Sequence, residues 1–307
     1  MGVARVAERS DAAPGVAERV GAAAPASIRL EAPGGLASTA MLASLAAHTV
    51  PGAERTDLGT GTHERLIHVA QGPVAVSVRL DPDGVDLTIH AARTHVAAVI
   101  AVVGAWLDLT TDLEVVRAAL REDPFLRPLV DARPALRVTG TTDAFQTAVT
   151  TVLGQQVSLA AGRTFAGRLV ADYGRPGPGG LVRFPTAAAL AEVRPEELQA
   201  AVGLTSSRAR TVRALAEAFA DRGHAPGDAG LRLTRGELLA VPGVGPWTAD
   251  YLEVRTGCPD AFAPGDLVLR RALGGISARE AARRAEAWRP YRAYALVHLW
   301  TATAYLP

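Results

Sequence analysis

The sequence predicts an α+β protein in which a small antiparallel sheet unit precedes an α-helical body. Segments with the two-residue alternation of β-strands occur before about residue 90, whereas apolar residues after about residue 110 repeat with helical spacing. The 307 residues are 49% hydrophobic and 21% charged, which is ordinary for a folded globular chain. This length is sufficient for two modest domains.

The predicted sheet unit covers residues 27–110 and follows a tail, residues 1–26, that is rich in Ala, Gly and Pro. We expect this tail to be disordered or to be the remnant of a linker. A helix is predicted over residues 39–48 and another, packed on the sheet, over residues 94–107. Because Asp81-Pro-Asp-Gly84 is a turn sequence, the last two strands are expected to form a hairpin. The predicted strands are 28–30, 65–69, 74–80 and 85–89.

The predicted helical body covers residues 111–307, in which strand patterns largely disappear. Asp143, paired with Gln146, and Ser158 are expected to cap two of its helices. The run Gly-Arg-Pro-Gly-Pro-Gly-Gly at 174–180 is a loop signal. The predicted helices are 143–153, 158–173, 195–202, 206–222, 234–240, 247–255, 266–273, 278–287 and 291–305.

The composition excludes several kinds of chemistry. All 32 basic residues are arginine, so P-loop phosphate binding, lysine Schiff bases and pyridoxal phosphate attachment are excluded. Cys258 is the one cysteine, which excludes an intramolecular disulfide and any four-cysteine zinc or iron–sulfur site. The chain has neither a membrane-spanning apolar run nor a signal-like start, so we expect a cytoplasmic protein without a membrane partner.

Charge is distributed unevenly along the chain. The net charge is +1, but residues 134–307 contain 20 arginines against 15 acidic residues, whereas residues 1–133 contain 12 against 16. The C-terminal part, with a net charge of +5, could face a polyanion, although the excess is small for its length.

The segment from Leu238 to Asp250, LLAVPGVGPWTAD, has the most specific local pattern. A short helix ends, Gly243 and Gly245 flank one apolar residue, and Pro246 suits the first turn of the next helix. Such a hairpin exposes backbone N–H groups at a helix N-terminus, where a phosphate can bind. The glycines alone are equally consistent with a simple turn between two packed helices. The pattern is that of a helix-hairpin-helix, which grips DNA phosphates without reading sequence.

Asp266 follows this hairpin in the motif Ala263-Pro-Gly-Asp266, at the expected start of a helix. It can serve as an N-cap, as a carboxylate at the mouth of a cleft, or as both. Seven of the nine Trp and Tyr residues lie in 247–305. Trp247 and Tyr251 share a helix face and, with Tyr291, are candidates for a stacking pocket, although core packing is the alternative for each. Three residues of this region are assigned to the interior: Trp288, Trp300 and His298.

With these segments the chain, from about residue 28 to residue 307, resembles the DNA-3-methyladenine glycosylase II family, the AlkA type of helix-hairpin-helix glycosylases. The motifs that carry the resemblance are DAFQTAVTTVLGQQVS at 143–158, VPGVGPWTADYLEVR at 241–255, APGD at 263–266 and WRPYRAYALVHLW at 288–300. The resemblance implies a monofunctional enzyme of base excision repair. It would flip alkylated purines of the 3-methyladenine and 7-methylguanine class out of double-stranded DNA and hydrolyse the N-glycosidic bond. It also implies a monomer that needs no cofactor and holds no iron–sulfur cluster.

The resemblance assigns roles to particular residues. Asp266 matches the catalytic aspartate, which stabilises positive charge on the sugar, and Trp247 occupies the position of the Schiff-base lysine in bifunctional relatives. Gln156 matches the wedge that fills the space left by the flipped nucleotide. The remaining assignments are Gly243, Gly245 and Thr248 for phosphate binding, and the backbone carbonyls of Leu239, Val241 and Val244 for a sodium or potassium ion.

The chain also departs from the best-known member of the family at several positions. Gln156 is polar where an apolar wedge is known, and Tyr291 stands in place of a Trp. Ser44 replaces an aromatic residue and Val268 replaces a Leu, which puts the substrate range in question. The alternative function is a non-catalytic helix-hairpin-helix DNA-binding protein, but such a protein would not need Asp266 or the aromatic cluster. The motifs of other common enzyme classes, such as GxSxG and HExxH, are absent from the sequence.

Overall fold

The computed structural model describes residues 25–91 and 93–305 and shows an antiparallel sheet followed by a helical body, as the sequence predicts. Most of the predicted disordered tail lies outside the described residues. Its last residue, Ala26, already belongs to the first strand.

Five strands form the sheet in the spatial order β1-β5-β4-β3-β2, and every pairing is antiparallel. The predicted hairpin between β4 and β5 is confirmed, because Asp81 pairs with Gly84 across the turn and its Oδ1 accepts the N–H of Gly84 at 3.1 Å. The second strand was not predicted. The strands are β1 Ala26–Glu31, β2 Glu54–Asp57, β3 Thr62–Val69, β4 Gly72–Asp81 and β5 Gly84–His90.

Two helices, α1 Ser38–His48 and α2 Val96–Trp106, pack on one face of this sheet and bury its alternating apolar residues. The second is shorter than predicted, because a 3-10 turn, Arg93–His95, precedes it. The apolar stripe of β4 that faces these helices consists of Val74, Val76, Val78 and Leu80. The period of two along the strand therefore places the core as expected.

The helical body follows the sheet unit. Three of its helices, α3, α4 and α7, were not predicted, and the predicted final helix becomes a π-helical turn after Trp300. The elements, in chain order, are α3 Leu113–Arg121, α4 Arg127–Ala132, α5 Ala144–Gly154, α6 Leu159–Tyr173, β6 Arg175–Pro176, β7 Val182–Arg183, α7 Ala187–Ala191, α8 Pro195–Val202, α9 Ser206–Asp221, α10 Arg235–Ala240, α11 Pro246–Arg255, α12 Leu267–Ala272, α13 Ala278–Ala285 and α14 Arg292–Trp300.

The helices enclose two hydrophobic cores. One is built by α5, α6, α8 and α9 around Phe145 and Phe219, and the other by α3, α4 and α12 to α14 around Trp288. Both predicted N-caps are confirmed, since Asp143 accepts the N–H of Gln146 at 2.9 Å and the Ser158 hydroxyl accepts the N–H of Ala161 at 3.2 Å. The reciprocal bond of the predicted Asp143–Gln146 pair is not formed, because the Asp143 N–H donates to Thr141 and Gln146 donates to Glu54. The cleft between the sheet unit and these two cores contains the candidate site. The boundary at residue 110 stays a prediction.

Within the described residues, no helix has the length and apolar character needed to cross a membrane. Nor do those residues bring together three or more His, Cys, Asp or Glu side chains that could hold a metal ion.

Candidate active site

Asp266 is the N-cap of α12, as predicted, and its carboxylate also lines a cavity. Oδ1 accepts the backbone N–H of Leu269 at 2.8 Å and the indole N–H of Trp300 at 2.9 Å, while Oδ2 accepts the indole N–H of Trp247 at 3.0 Å. Only 8% of the residue is exposed. Three N–H donors from three different helices, α11, α12 and α14, therefore fix the orientation of this carboxylate.

Aromatic rings border the cavity beside Asp266. Trp247 and Tyr251 stack with their centroids 5.4 Å apart and their planes 23° apart, as their spacing on one helix face predicts. Tyr251 also contacts Trp300 at 5.8 Å. The cavity has a volume of about 320 Å³, which lies within the range of small-ligand pockets. A planar group could therefore stack beside the carboxylate.

The sheet unit supplies the other wall, which sequence analysis did not predict. Glu54 at the start of β2 is buried, and its carboxylate accepts hydrogen bonds from Gln146 Nε2 at 2.9 Å and from the Val50 N–H at 3.1 Å. Arg65 lies 3.3 Å from the same carboxylate and places its guanidinium 4.8 Å above the Trp106 ring. This buried ion pair is enclosed by further partners, which offsets part of its desolvation cost.

His48 and three arginines add charge-bearing groups to the cavity wall. Burial lowers the pKa of His48 to about 4, and the nearby positive charges of Arg255 and Arg163 act in the same direction. The imidazole is therefore neutral at pH 7. The cavity is lined by three arginines, Arg65, Arg163 and Arg255. Two carboxylates, Glu54 and Asp266, line it as well.

The predicted hairpin connects α10 to α11. Gly243 has φ +88°, and a Cβ there would lie 2.1 Å from the Thr211 hydroxyl oxygen, so only glycine fits this turn. Gly245 is the N-cap of α11, and the space around its Cβ position is open to a close backbone approach. The Val241 carbonyl accepts the Val244 N–H at 3.0 Å. The cation site predicted at this carbonyl and those of Leu239 and Val244 stays a prediction.

The loop after α5 holds the predicted wedge. Gln156 is exposed and has a left-handed backbone with φ 55°, which is uncommon for a residue other than glycine. Its neighbour Gln155 donates from Nε2 to the Thr248 hydroxyl at 2.9 Å and to the Gly243 carbonyl at 3.3 Å. Arg208 donates to the Gln155 carbonyl at 2.5 Å. The wedge loop is thus tied to the hairpin.

Thr248 was predicted to bind phosphate, but only 2% of it is exposed. Its hydroxyl is buried and accepts the hydrogen bond from Gln155, so the structure gives this side chain an anchoring position under the hairpin. A phosphate would have to meet the backbone at this position rather than the hydroxyl.

One residue predicted for the pocket lies elsewhere, and one residue predicted for the interior has an additional contact. Tyr291 is not among the described residues that line the cavity, because its ring packs edge-on against Tyr294 at 6.2 Å. Trp300 is buried, as predicted, and it also donates a hydrogen bond to Asp266 and lines the cavity. No local signal indicated this, since 34 residues separate the pair.

Trp288 lies in the core as predicted, 1% exposed, with its indole N–H bonded to Asp123. His298 is interior as predicted, but its Nδ1 makes no hydrogen bond with a described residue. Of the four positions named as departures, Val268 lines the main cavity and Ser44 lines a smaller one nearby.

The structure places a helix-hairpin-helix next to a cavity-lining aspartate, and an antiparallel sheet unit packs against the helices. This combination is that of a class of DNA repair proteins. The AlkA N-terminal domain model matches residues 27–143, and the model of the HhH-GPD superfamily base excision DNA repair proteins matches residues 149–290. The Escherichia coli K12 protein named DNA-3-methyladenine glycosylase 2 is 30% identical over 277 residues, which cover 87% of this chain and 94% of that protein. The chain therefore belongs to the AlkA family of DNA-3-methyladenine glycosylases within the HhH-GPD superfamily.

Other relatives agree on the fold. A Mycobacterium tuberculosis H37Rv protein named probable bifunctional transcriptional activator/DNA repair enzyme AlkA is 40% identical over 288 residues. That match covers 90% of this chain but 56% of the mycobacterial protein, so the chain spans about half of that relative's length. The 3-methyladenine DNA-glycosylase structure from Archaeoglobus fulgidus superposes with a TM-score of 0.74 at 20% identity, covering 91% of this chain and 100% of that one.

Proposed function

We propose that this protein is a monofunctional DNA glycosylase that removes alkylated purines of the 3-methyladenine and 7-methylguanine class from double-stranded DNA. The observation that carries the proposal is the buried Asp266 carboxylate, which the indoles of Trp247 and Trp300 hold at the wall of a base-sized aromatic cavity. A protein that only held DNA would need the hairpin but not this arrangement.

The chemistry follows from the charge of the substrate. A purine alkylated at N3 or N7 is cationic and leaves readily, so no strong general acid is needed. As the N-glycosidic bond breaks, its electron pair goes to the base and positive charge develops on the deoxyribose. The ionised Asp266 carboxylate stabilises this charge and orients the water that adds to C1′. Its fixed hydrogen bonds mean that little reorganisation is required during the reaction.

The aromatic side of the cavity binds the flipped base. The stacked faces of Trp247 and Tyr251 attract a cationic ring by cation–π interaction, which contributes about 0.5–2 kcal/mol for each ring. In place of Tyr291, we assign the third position in this pocket to Trp300, because its ring contacts Tyr251 and lines the cavity.

The hairpin and the wedge loop bind the DNA itself. Backbone N–H groups at Gly243 and Gly245 meet a phosphate, with the N-terminus of α11 adding favourable electrostatics. Extruding a base costs a few kcal/mol, and Gln156 offsets part of this by occupying the vacated space. Since the chain has no lysine, strand cleavage through a lysine Schiff base is not available to it.

The test compares the native chain with Asp266→Asn on alkylated duplex DNA, with the released bases resolved by chromatography and DNA binding measured separately. We expect the native chain to release 3-methyladenine and 7-methylguanine. Removing the charge should lower release by about 10²–10³-fold, the usual effect of losing one electrostatic contact to the transition state, while DNA binding stays within a few-fold.

Asp123→Asn is the matched control, because Asp123 also accepts an indole N–H, from Trp288, and a backbone N–H, from Phe125. This variant should fold somewhat less stably and keep its activity. DNA binding by the native chain without release of either base would favour the non-catalytic alternative. Full activity in Asp266→Asn would show that another group stabilises the sugar.

A further inference from the structure

Helix α11 presents three side chains along the cavity wall at intervals of four residues: Trp247, Tyr251 and Arg255. Such a spacing keeps side chains on one helix face. Because a helix rises 1.5 Å per residue, Arg255 begins about 12 Å along the axis from Trp247. The wall therefore runs from the stacked rings beside Asp266 to a guanidinium at the other end.

The Arg255 guanidinium has unused hydrogen-bonding capacity. Its Nη2 donates to the Gly140 carbonyl at 3.2 Å, but its Nε is buried without a hydrogen-bond partner among the described residues. A guanidinium carries five N–H donors. No carboxylate of the described residues forms an ion pair with it. Its Nη1 also makes no hydrogen bond within the described residues, and Arg255 lines the cavity, so an acceptor on a ligand there can receive this N–H.

The other charged groups of the cavity are already engaged or lie towards solvent. The Nε of Arg65 is also buried without a partner among the described residues, but the Glu54 carboxylate already pairs with this guanidinium. Asp266 accepts from two indoles and from its own helix. His48 is neutral at pH 7, with its pKa lowered to about 4, and Arg163 is an exposed residue. Arg255 is therefore the cation best placed to meet the far edge of a stacked base.

We propose that Arg255 selects among flipped purines by donating to a carbonyl oxygen at C6. This inference rests on the proposed function. Guanine carries an acceptor, O6, at that position, whereas adenine carries an amino group, which is a donor and cannot accept from a guanidinium. The cavity then favours alkylated guanines over alkylated adenines. When the glycosidic bond breaks, its electron pair moves into the base, and the guanidinium stabilises the negative charge gained at O6 while water adds to the sugar.

The experiment measures 7-methylguanine and 3-methyladenine released from one methylated duplex preparation, so that the ratio of the two kcat/KM values is internally controlled. Both bases are cationic before cleavage, so the positive charge of Arg255 disfavours the binding of both to a similar extent. In Arg255→Gln we expect release of 7-methylguanine to fall about tenfold or more relative to 3-methyladenine, as for the loss of a guanidinium contact to a base edge. Arg79→Gln, on an exposed strand position paired with Asp86, is the matched control and should leave the ratio unchanged.

The outcomes separate the two proposals. A parallel loss of both bases in Arg255→Gln, or an unchanged ratio, would overturn the selection role and leave the proposed function intact. Release of neither base by the native chain would overturn the proposed function and this inference with it. If Arg255→Gln does not fold, Arg255→Lys keeps the charge but loses the planar fork, and it should shift the ratio in the same direction by a smaller factor.

Discussion

Trp300→Phe isolates the contribution of one indole N–H to the carboxylate of Asp266. The bond from Nε1 to Oδ1 is 2.9 Å long, and each residue is only 8% exposed. A hydrogen bond to a charged group contributes about 1.5–3 kcal/mol to stability, and the burial of both partners favours the upper half of that range. We therefore expect the free energy of unfolding to fall by about 2–3 kcal/mol and Tm to fall by roughly 4–6 °C.

The same change should slow the proposed reaction. Without Trp300, Oδ1 keeps only the N–H of Leu269, while Trp247 still holds Oδ2. The carboxylate keeps its charge but loses part of its fixed orientation. We expect kcat to fall by about tenfold, which corresponds to about 1.4 kcal/mol of transition-state stabilisation and is far less than the loss expected for Asp266→Asn.

Trp288→Phe provides the matched comparison. Trp288 lies in the same core, and its indole N–H donates to Asp123 at 2.6 Å, away from the cavity. Thermal denaturation and single-turnover base release, measured on both variants, should show lost stability in both and lost rate in Trp300→Phe alone. An equal loss of rate in both variants, or an unchanged rate in Trp300→Phe, would refute the argument that Trp300 positions the carboxylate.

Two other predictions concern the wedge loop and a buried histidine. Gln155→Leu removes the hydrogen bonds to the Thr248 hydroxyl and the Gly243 carbonyl, so the fraction of extruded base in bound duplex DNA, measured by 2-aminopurine fluorescence, should fall by about 5–10-fold. Because the buried Thr248 hydroxyl loses this donor, Tm should also fall by a few degrees. An unchanged fluorescence signal would contradict a positioning role. Burial lowers the pKa of His298 to about 4, from an ordinary value near 6.5, so the unfolded chain takes up the proton first and stability falls as pH drops through this window. When the pH is lowered from 7 to 4.5, the free energy of unfolding of His298→Phe should therefore fall by about 2 kcal/mol less than that of the native chain, as measured by urea titration. An equal fall in both proteins would show that His298 does not titrate between these pH values.

Local patterns predicted much of the fold and one side of the site. The hairpin at Gly243, the cap at Asp266 and the shared face of Trp247 and Tyr251 each depend on residues within a few positions of one another, and the structure has all three. Strand β2 was not predicted, because its four residues, Glu-Arg-Thr-Asp, lack apolar alternation and lie at the edge of the sheet.

The missed parts of the site depend on contacts between distant segments. Glu54 meets Gln146 across 92 positions in the sequence, and Trp300 meets Asp266 across 34. No periodicity within one helix or strand carries such information. The concentration of aromatic residues in 247–305 suggested Tyr291 for the pocket, but sequence spacing does not show that its ring packs against Tyr294.

The arrangement of charge along the cavity matches the electron flow of the proposed reaction. Cleavage of an N-glycosidic bond makes the sugar more positive and the base more negative. The structure places a carboxylate, Asp266, at the Trp247 end of the α11 wall and a guanidinium, Arg255, at the other end. A cavity built only from aromatic rings would bind a cationic base but would not distinguish one edge of the base from the other. Under the proposed function, we expect this polarity to set which edge of a purine faces the sugar and which faces Arg255, so that binding and bond cleavage favour the same orientation.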